Sequence, residues 1–441
     1  MKTRVVKVER AQLGAFENPP GPTRLDNWSV GAVPESDLAA LAEAARCLRE
    51  KDTPVAFPTE TVYGLGADAR RSAAVKGIYA AKGRPSDNPL IVHVCDLRML
   101  RSLLTPGDGN GDSGGEDPIP DIYRPLIERF WPGPLTILLP SPTPSKLAPE
   151  VTAGLANFGA RMPSSPLALT LIKLADAPLA APSANASTKP SPTAAQHVLD
   201  DLDGRIELIL DGGACTVGVE STVVDGLCDP PVVLRPGGVS LQELRECPGW
   251  EKVAKAYKDH SEEGKAAPRA PGMKYKHYSP KAKVVLYEAS FSQGSDGVVP
   301  EDRDAVPAVN GTNGDVNGNA AKRRKIGIIR TQRWAEGAGF ECENLAPSNA
   351  TQDAVDGTAA DLPYVVEEGD LKNDGGEIIG RILDINLGKD IRRIAQGLFS
   401  ALRELDRRGA DVIFVDGIND EMDIAGAVMN RLRKAATESR A

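Results

Sequence analysis

The sequence predicts an α/β protein of two domains: a larger one with a twisted mixed sheet, then a smaller one with a parallel sheet. Three observations carry this. The chain has 441 residues, too many for one ordinary core. Between Val55 and Gly238 short apolar runs alternate with amphipathic stretches through short links. After residue 282 a second strand–helix–strand–helix order appears, which implies a parallel sheet.

The elements follow in order. Residues 1–35 read as an irregular arm, because Pro19, Pro20, Gly21 and Pro22 interrupt regular structure. A helix is expected from Leu38 to Arg49, with Leu38, Leu41, Ala45 and Leu48 on one face. Strands are expected at Leu90–Val94, Leu135–Leu139, Leu179–Pro182, Ile206–Leu210, Ser221–Val224 and Val232–Leu234. Helices are expected at Ala73–Lys82, Asp121–Phe130, Pro166–Ala175 and Thr193–Leu202. Residues 106–118 are too polar and Gly-rich to bury apolar area, and 292–321 read the same way. Lys322-Arg-Arg-Lys325 is a solvated flank of the next strand or a localisation signal. In the second domain, strands at Lys283–Tyr287, Lys325–Arg330 and Val412–Val415 alternate with helices at Leu387–Arg408 and Ile424–Ala436. Ile391, Ile394, Leu398, Leu402 and Leu405 line one face of the first of these helices. The expected organisation is an arm (1–35), a first domain (36–247), a linker or lid (248–281) and a second domain (282–436), with 292–321 disordered.

Composition narrows the function classes. Hydrophobic residues make up 41% and charged residues 26%, an ordinary globular balance. The net charge of −9 differs from that of a strongly basic nucleic-acid binder. No apolar run reaches the roughly 18 residues of a membrane span, and the N-terminus lacks signal or transit features, so a cytoplasmic protein is expected. Six cysteines and four histidines show neither Cys-x-x-Cys nor metal-ligand spacing, so no metal site is expected.

Five segments of the first domain concentrate groups suited to a nucleotide and an amino acid. Pro58-Thr-Glu-Thr-Val-Tyr-Gly-Leu-Gly66 sets hydroxyls at a strand exit, with glycines that let backbone approach a ligand; a capped helix start or plain turn reads equally well. Lys82-Gly-Arg-Pro-Ser-Asp-Asn-Pro-Leu90 puts two cations at a helix end, where they suit a polyphosphate or complement the helix dipole. His93 lies in an apolar strand, the usual place of a core histidine. Arg161, fixed before Met162-Pro163, can hold a carboxylate bidentately. Ala180-Ala-Pro-Ser-Ala-Asn-Ala-Ser-Thr-Lys-Pro-Ser191 clusters hydroxyls and an amide before a helix start. Val219-Glu-Ser-Thr222 is followed by Leu234-Arg-Pro-Gly237.

Taken together, PTETVYGLG, KGRPSDNPLIVH, WPGPLT, APSAN, GVEST and LRPG, in this order, resemble the YrdC-like domain of the threonylcarbamoyl-AMP synthase family over residues 38–280. Ala270–Pro280 resembles the linker of its long members, and Ala395–Ala436 their Rossmann-like C-terminal domain. The resemblance implies a concave YrdC-like sheet that condenses L-threonine, bicarbonate and ATP into threonylcarbamoyladenylate and pyrophosphate. The product serves threonylcarbamoyladenosine formation beside the anticodon of tRNAs reading codons that begin with A. It implies that Thr61, His93, Arg161, the Ala181 backbone and Ser221 hold threonine. Arg84, Asn88, Ser183, Ser191, Arg235 and Tyr275 would hold ATP, with Lys82 and Arg84 as the catalytic cations. Asn157 stands where many members carry Thr in a nucleotide-contacting stretch. Mg2+ is expected through the phosphates. Hand-off to a threonylcarbamoyl transferase complex, and direct or indirect tRNA contact, are expected partners. Lys274–His277 is expected to act as a lid. Two other readings are a non-catalytic RNA-binding module and carbamoyl transfer to another acceptor. The acidic charge disfavours the first, and the lack of zinc-finger-like Cys pairs the second.

Overall fold

The computed structural model describes residues 2–9, 13–17, 24–106, 117–257, 278–305, 324–348, 363–421 and 424–441. The expected lid, with Tyr275, lies outside the described residues, as do 107–116 and 306–323.

The first domain contains strands β1 (Arg4–Lys7), β2 (Gly14–Phe16), β3 (Trp28–Val30), β4 (Val55–Pro58), β5 (Tyr63–Asp68), β6 (Ile91–His93), β7 (Leu135–Pro140), β8 (Asn157–Arg161), β9 (Leu179–Ala180), β10 (Leu208–Asp211), β11 (Thr222–Asp225), β12 (Val232–Arg235) and β13 (Ala254–Lys255). Its α-helices are α1 (Glu35–Glu50), α2 (Ser72–Lys82), α3 (Leu97–Leu104), α4 (Arg124–Phe130), α5 (Pro149–Thr152), α6 (Pro166–Ala175), α7 (Ala195–Leu202) and α8 (Leu241–Arg245). Eleven strands form one sheet in the order β1-β10-β4-β5-β9-β6-β8-β7-β11-β12-β13, and β2 and β3 form a separate hairpin. The sheet is mixed: β6 runs parallel to β8 but antiparallel to β9, and β7 parallel to β11 but antiparallel to β8. Leu41, Ala44 and Leu48 of α1 join Leu167, Leu171 and Ile172 of α6 in the core on one side of this sheet.

The second domain contributes β14 (Lys283–Tyr287), β15 (Arg324–Arg330), β16 (Cys342–Pro347), β17 (Val366–Lys372), β18 (Ile378–Asn386), β19 (Val412–Asp416) and β20 (Glu438–Arg440). Its helices are α9 (Pro300–Asp304), α10 (Ile391–Arg407) and α11 (Ala425–Ala435). The sheet order is β16-β17-β18-β15-β19-β14-β20. The centre is parallel, as expected, and β16 and β17 add an antiparallel edge. Val219 of the first domain is fully buried within this second core. Gly218, at φ +82, lies against α10 so closely that an added Cβ would fall 2.3 Å from the Gln396 Cα. The two domains therefore share a close-packed interface at the GVEST segment.

Several expectations are corrected. The arm is not irregular throughout, since β1 pairs with β10 some two hundred residues away, a partner no local pattern reveals. The first sheet runs past residue 247, because β13 pairs with β12 and Trp250 is fully buried. Residues 292–305 carry a 3-10 turn (Ser292–Gly294) and α9 rather than disorder. The second domain passes 436, where β20 pairs with β14.

Candidate functional site

The motifs converge because of where their strands and helices end. Thr59 closes the turn between β4 and β5: its Oγ1 accepts the Val62 N–H at 3.3 Å and donates to the Val62 carbonyl at 2.7 Å. This turn presents Glu60 and Thr61. α2 stops at Gly83, which takes the left-handed conformation at φ 62, so Lys82 and Arg84 gather at the helix end. His93 and Arg161 end the parallel neighbours β6 and β8 in register with each other. Gly237 brings the LRPG segment against the GVEST turn, where an added Cβ would lie 2.2 Å from the Thr222 N.

The result is a cavity of about 250 Å³ lined by Thr61, Lys82, Arg84, Asn88, His93, Arg161, Ala181, Ser183, Ser191, Ser221 and Arg235. Eleven of the thirteen candidate residues thus share one hollow. Tyr275 lies outside the described residues. Asn157 is set apart: it starts β8 while Arg161 ends it, and it lines a small separate hollow with Pro89, Leu155 and Val223. Four strand residues of rise, roughly 13 Å, separate the two ends.

At one end of the hollow Arg161 is held on three sides. It donates to the Gly133 carbonyl at 3.1 Å, Thr61 Oγ1 at 2.9 Å and Glu60 Oε1 at 2.6 Å. These contacts use three of its five N–H donors, leaving two among the described residues. Glu60 also accepts the Ser164 N–H at 3.1 Å, so the buried pair is satisfied. Burial, then the Arg161 charge, pulls His93 down to about 3, so its imidazole is neutral. Ser221 Oγ lies 2.8 Å from Thr136 Oγ1 and accepts from Arg235 at 3.1 Å. The Ala181 N–H donates to the Ile91 carbonyl at 3.0 Å, which leaves its carbonyl for other contacts.

At the other end lie the phosphate-type groups. Burial brings Arg84 down to about 10 and Arg235 also to about 10, so both stay charged near neutral pH. Arg84 donates to the Pro89 carbonyl at 3.2 Å, but its Nε and the Asn88 Oδ1 have no hydrogen-bond partner among the described residues. These two buried groups keep donor and acceptor capacity that a polar ligand or water can take up. Lys82, expected as a catalytic cation close to the phosphates, lines the hollow with its ammonium engaged by the protein. Its Nζ donates to the Ser183 carbonyl at 2.5 Å, the Asn185 carbonyl at 2.5 Å and Asn185 Oδ1 at 3.3 Å, which uses all three N–H groups. Burial, then Arg84, pulls its pKa well below the usual lysine range, and the Asp201 and Glu220 charges oppose the shift. Lys82 therefore clamps the APSAN loop.

Glu220 is the single acidic side chain lining the hollow among the described residues. It accepts from Ser191 Oγ at 2.5 Å and from Arg431 Nε of α11 at 3.0 Å. Burial alone would raise its pKa, but the Arg431 and Arg235 charges hold it down at about 2. Tyr278 also lines the hollow. The sequence reading missed Glu60, Glu220, Tyr278 and Arg431 as site residues. The signal for the two acids was their position inside motifs otherwise made of small and hydroxyl residues. Among the described residues no group of three or more His, Cys, Asp or Glu side chains is placed to hold a metal ion.

A mixed sheet carrying a hydroxyl- and cation-lined hollow, with no Ser–His or Cys–His nucleophile pair there among the described residues, defines an α/β protein whose site suits anionic groups. Comparison with known proteins narrows the class. The Sua5/YciO/YrdC family model, described as telomere recombination, matches residues 47–237. The model described as threonylcarbamoyl-AMP synthase, C-terminal domain, matches residues 239–437. The chain is 44% identical to a threonylcarbamoyl-AMP synthase of Schizosaccharomyces pombe, covering 99% of this chain and 98% of that one. It is 39% identical to one of Bacillus subtilis, with 93% and 97% covered. Among solved structures, P. abyssi Sua5 complexed with L-threonine matches with TM-score 0.65 and 34% identity over 100% of both chains. The chain belongs to the threonylcarbamoyl-AMP synthase family, in its two-domain form.

Proposed function

We propose that the hollow binds L-threonine and ATP side by side and joins them through a carbamate to give threonylcarbamoyladenylate and pyrophosphate. One observation carries the reading: among the described residues, Arg161 keeps two N–H donors unused, Arg84 Nε and Asn88 Oδ1 have no hydrogen-bond partner, and all three residues line the same hollow. Thr61, His93, Arg161, Ser221 and the Ala181 carbonyl would hold threonine, the arginine facing its carboxylate and the neutral imidazole sparing its amine a like charge. Arg84, Asn88, Ser183, Ser191 and Arg235 would hold ATP, and Tyr275 and Asn157 remain candidates from sequence.

Bicarbonate loses hydroxide to give CO2, the threonine amine attacks the CO2 carbon to form the carbamate, and the proton the amine gives up leaves with the hydroxide as water. A carbamate oxygen then attacks the α-phosphorus, and the bond to pyrophosphate breaks with its electrons leaving on the pyrophosphate oxygen. No protein nucleophile is needed, so the chain contributes positioning and charge stabilisation. Arg84 and Arg235 offset the charge that develops on the phosphates. Mg2+ would supply further neutralisation of the phosphates. Glu220 is already engaged by Ser191 and Arg431, so the ion would be held mainly by phosphate oxygens and water.

The product would pass to a threonylcarbamoyl transferase complex for tRNA modification, with tRNA contacted directly or through that complex. A cytoplasmic location agrees with this role, and no helix among the described residues is long and apolar enough to cross a membrane. The test is pyrophosphate release with each amino acid, with and without bicarbonate. Strict dependence on ATP, threonine and bicarbonate supports the reading. ATP-dependent release with no preference for threonine would defeat it.

A further inference from the structure

We infer that Arg431, in the C-terminal domain, is a positioning residue for the substrate hollow, acting through Glu220 on the Ser191 hydroxyl. The inference rests on the function proposed above and goes beyond it by assigning the second domain a part in the site.

The geometry is a chain of short contacts across the domain interface. Arg431 projects from α11 and is 1% exposed. It donates from Nε to Glu220 Oε2 at 3.0 Å and from Nη1 to the Pro236 carbonyl at 2.6 Å. Its guanidinium sits 5.7 Å from the centre of the Tyr278 ring, which stacks on Phe399 of α10 at 5.1 Å. Thus one arginine grips both sides of the hollow's rear wall: the GVEST acid and the LRPG backbone. The other Glu220 oxygen accepts from Ser191 Oγ at 2.5 Å.

A second arginine of the same domain secures the neighbouring residue. Arg403 of α10 donates to the Pro190 carbonyl at 3.0 Å and to Asp201 at 2.8 Å. Asp201 in turn accepts the Ala186 N–H at 3.1 Å, at the far end of the same loop. The loop from Ser183 to Ser191, which lines the hollow, is therefore tethered from behind by two cations that belong to the other domain.

This arrangement fixes chemistry as well as position. An ionised Glu220 can only accept, so the Ser191 hydroxyl donates its hydrogen bond to it and keeps only acceptor capacity for the substrate. Ser191 then suits a donor on the nucleotide, such as a ribose hydroxyl, rather than a phosphate oxygen. Without Arg431, burial favours a protonated Glu220, and Ser191 loses its fixed acceptor. The charged and titratable groups facing Glu220 are Arg431 from α11, Arg235 from β12, Lys82 from α2 and Tyr278.

The experiment uses the full chain and ATP- and threonine-dependent pyrophosphate release. Arg431→Met should raise the KM for ATP by about tenfold, with a smaller change for threonine. The loss should deepen as pH falls from 8.5 to 6, because Glu220 then takes up a proton. Arg431→Lys should recover most of the activity and the flat profile. Glu220→Gln should show the raised ATP KM without the pH dependence. In a double-mutant cycle, Ser191→Ala should add little to the Arg431→Met defect. An unchanged ATP KM in Arg431→Met or in Glu220→Gln would overturn the inference, as would a fully additive cycle. Should Arg431→Met fail to fold, Glu220→Gln and Arg431→Lys with Ser191→Ala decide it. No threonine-dependent release from the unsubstituted protein would instead defeat the function itself.

Discussion

Arg161 and Thr61, a hundred residues apart, meet through a 2.9 Å hydrogen bond at the end of the hollow, with Glu60 closing the far side of the guanidinium at 2.6 Å. This buried triad makes Thr61 part of the arginine's support as well as a proposed ligand of threonine. Thr61→Val keeps the shape and removes the hydroxyl's hydrogen bonds to Arg161 and Thr59, both at 2.9 Å. It should raise the KM for threonine by about tenfold, the worth of one or two hydrogen bonds, and leave the KM for ATP unchanged. Steady-state kinetics in each substrate checks this.

Arg84 has an unpartnered Nε in the hollow. Arg84→Ala should lower pyrophosphate release by at least about a hundredfold, the usual scale for losing a donor that meets developing charge. The substitution also removes the Nη2 hydrogen bond to the Pro89 carbonyl, so the melting temperature should fall by a few degrees at most, far less than the activity loss implies. A parallel fall of both quantities would contradict the phosphate role.

Lys82 is different, since all three of its N–H groups are spent on Ser183 and Asn185. Lys82→Met should lower stability by roughly 1–3 kcal/mol, because the Ser183 and Asn185 carbonyls lose their donor while Asn185 Oδ1 keeps Ser183 Oγ at 2.6 Å, and activity should fall with it. Chemical denaturation run beside the kinetics separates this from a direct phosphate contact, which would spare stability.

His93 and His197 are both pulled down to about 3, chiefly by burial, with Arg161 and Arg403 adding to it. Each is neutral when folded but takes a proton near 6.5 when unfolded. The unfolded state then binds more protons below that pH, so stability falls as pH drops from 6.5 toward 3. At pH 5 the loss should be roughly 2 kcal/mol per histidine. Denaturation at pH 7 and pH 5 measures it, and His197→Gln should remove about half of this share.

Gly237 passes over the GVEST turn with no room for a side chain: an added Cβ would lie 2.2 Å from Thr222 N and 2.3 Å from the Glu220 carbonyl oxygen. Gly237→Ala should cost roughly 1–3 kcal/mol by overpacking and shift Glu220 and Ser221 together. Urea denaturation reads the first effect and the KM for both substrates the second.

Much of this was legible in the sequence, for physical reasons. α2 ends at Gly83 and α10 carries its apolar stripe where the periodicity places them. The motifs mark the hollow because hydroxyls, glycines and cations cluster where strands and helices end. Other parts leave no local trace. β5 is buried along its whole length and interrupted by two glycines, so it does not alternate, and β8 is only five residues long with Gly159 at its centre. Asn157 and Arg161 sit in one motif, yet strand rise carries them to opposite ends of β8. Glu60, Glu220 and Arg431 owe their roles to partners that only folding brings near, and a buried paired acid looks like any other in sequence.

The central claim is that one hollow joins a carbamate of threonine to the α-phosphate of ATP. Carbon-labelled bicarbonate, with ATP, Mg2+ and threonine, followed by mass spectrometry of the nucleotide product, tests it most directly. The account predicts an adenylate that contains threonine plus the labelled carbon, with one pyrophosphate released per molecule. A nucleotide product bearing threonine without the label, or no threonine-containing product at all, would contradict it.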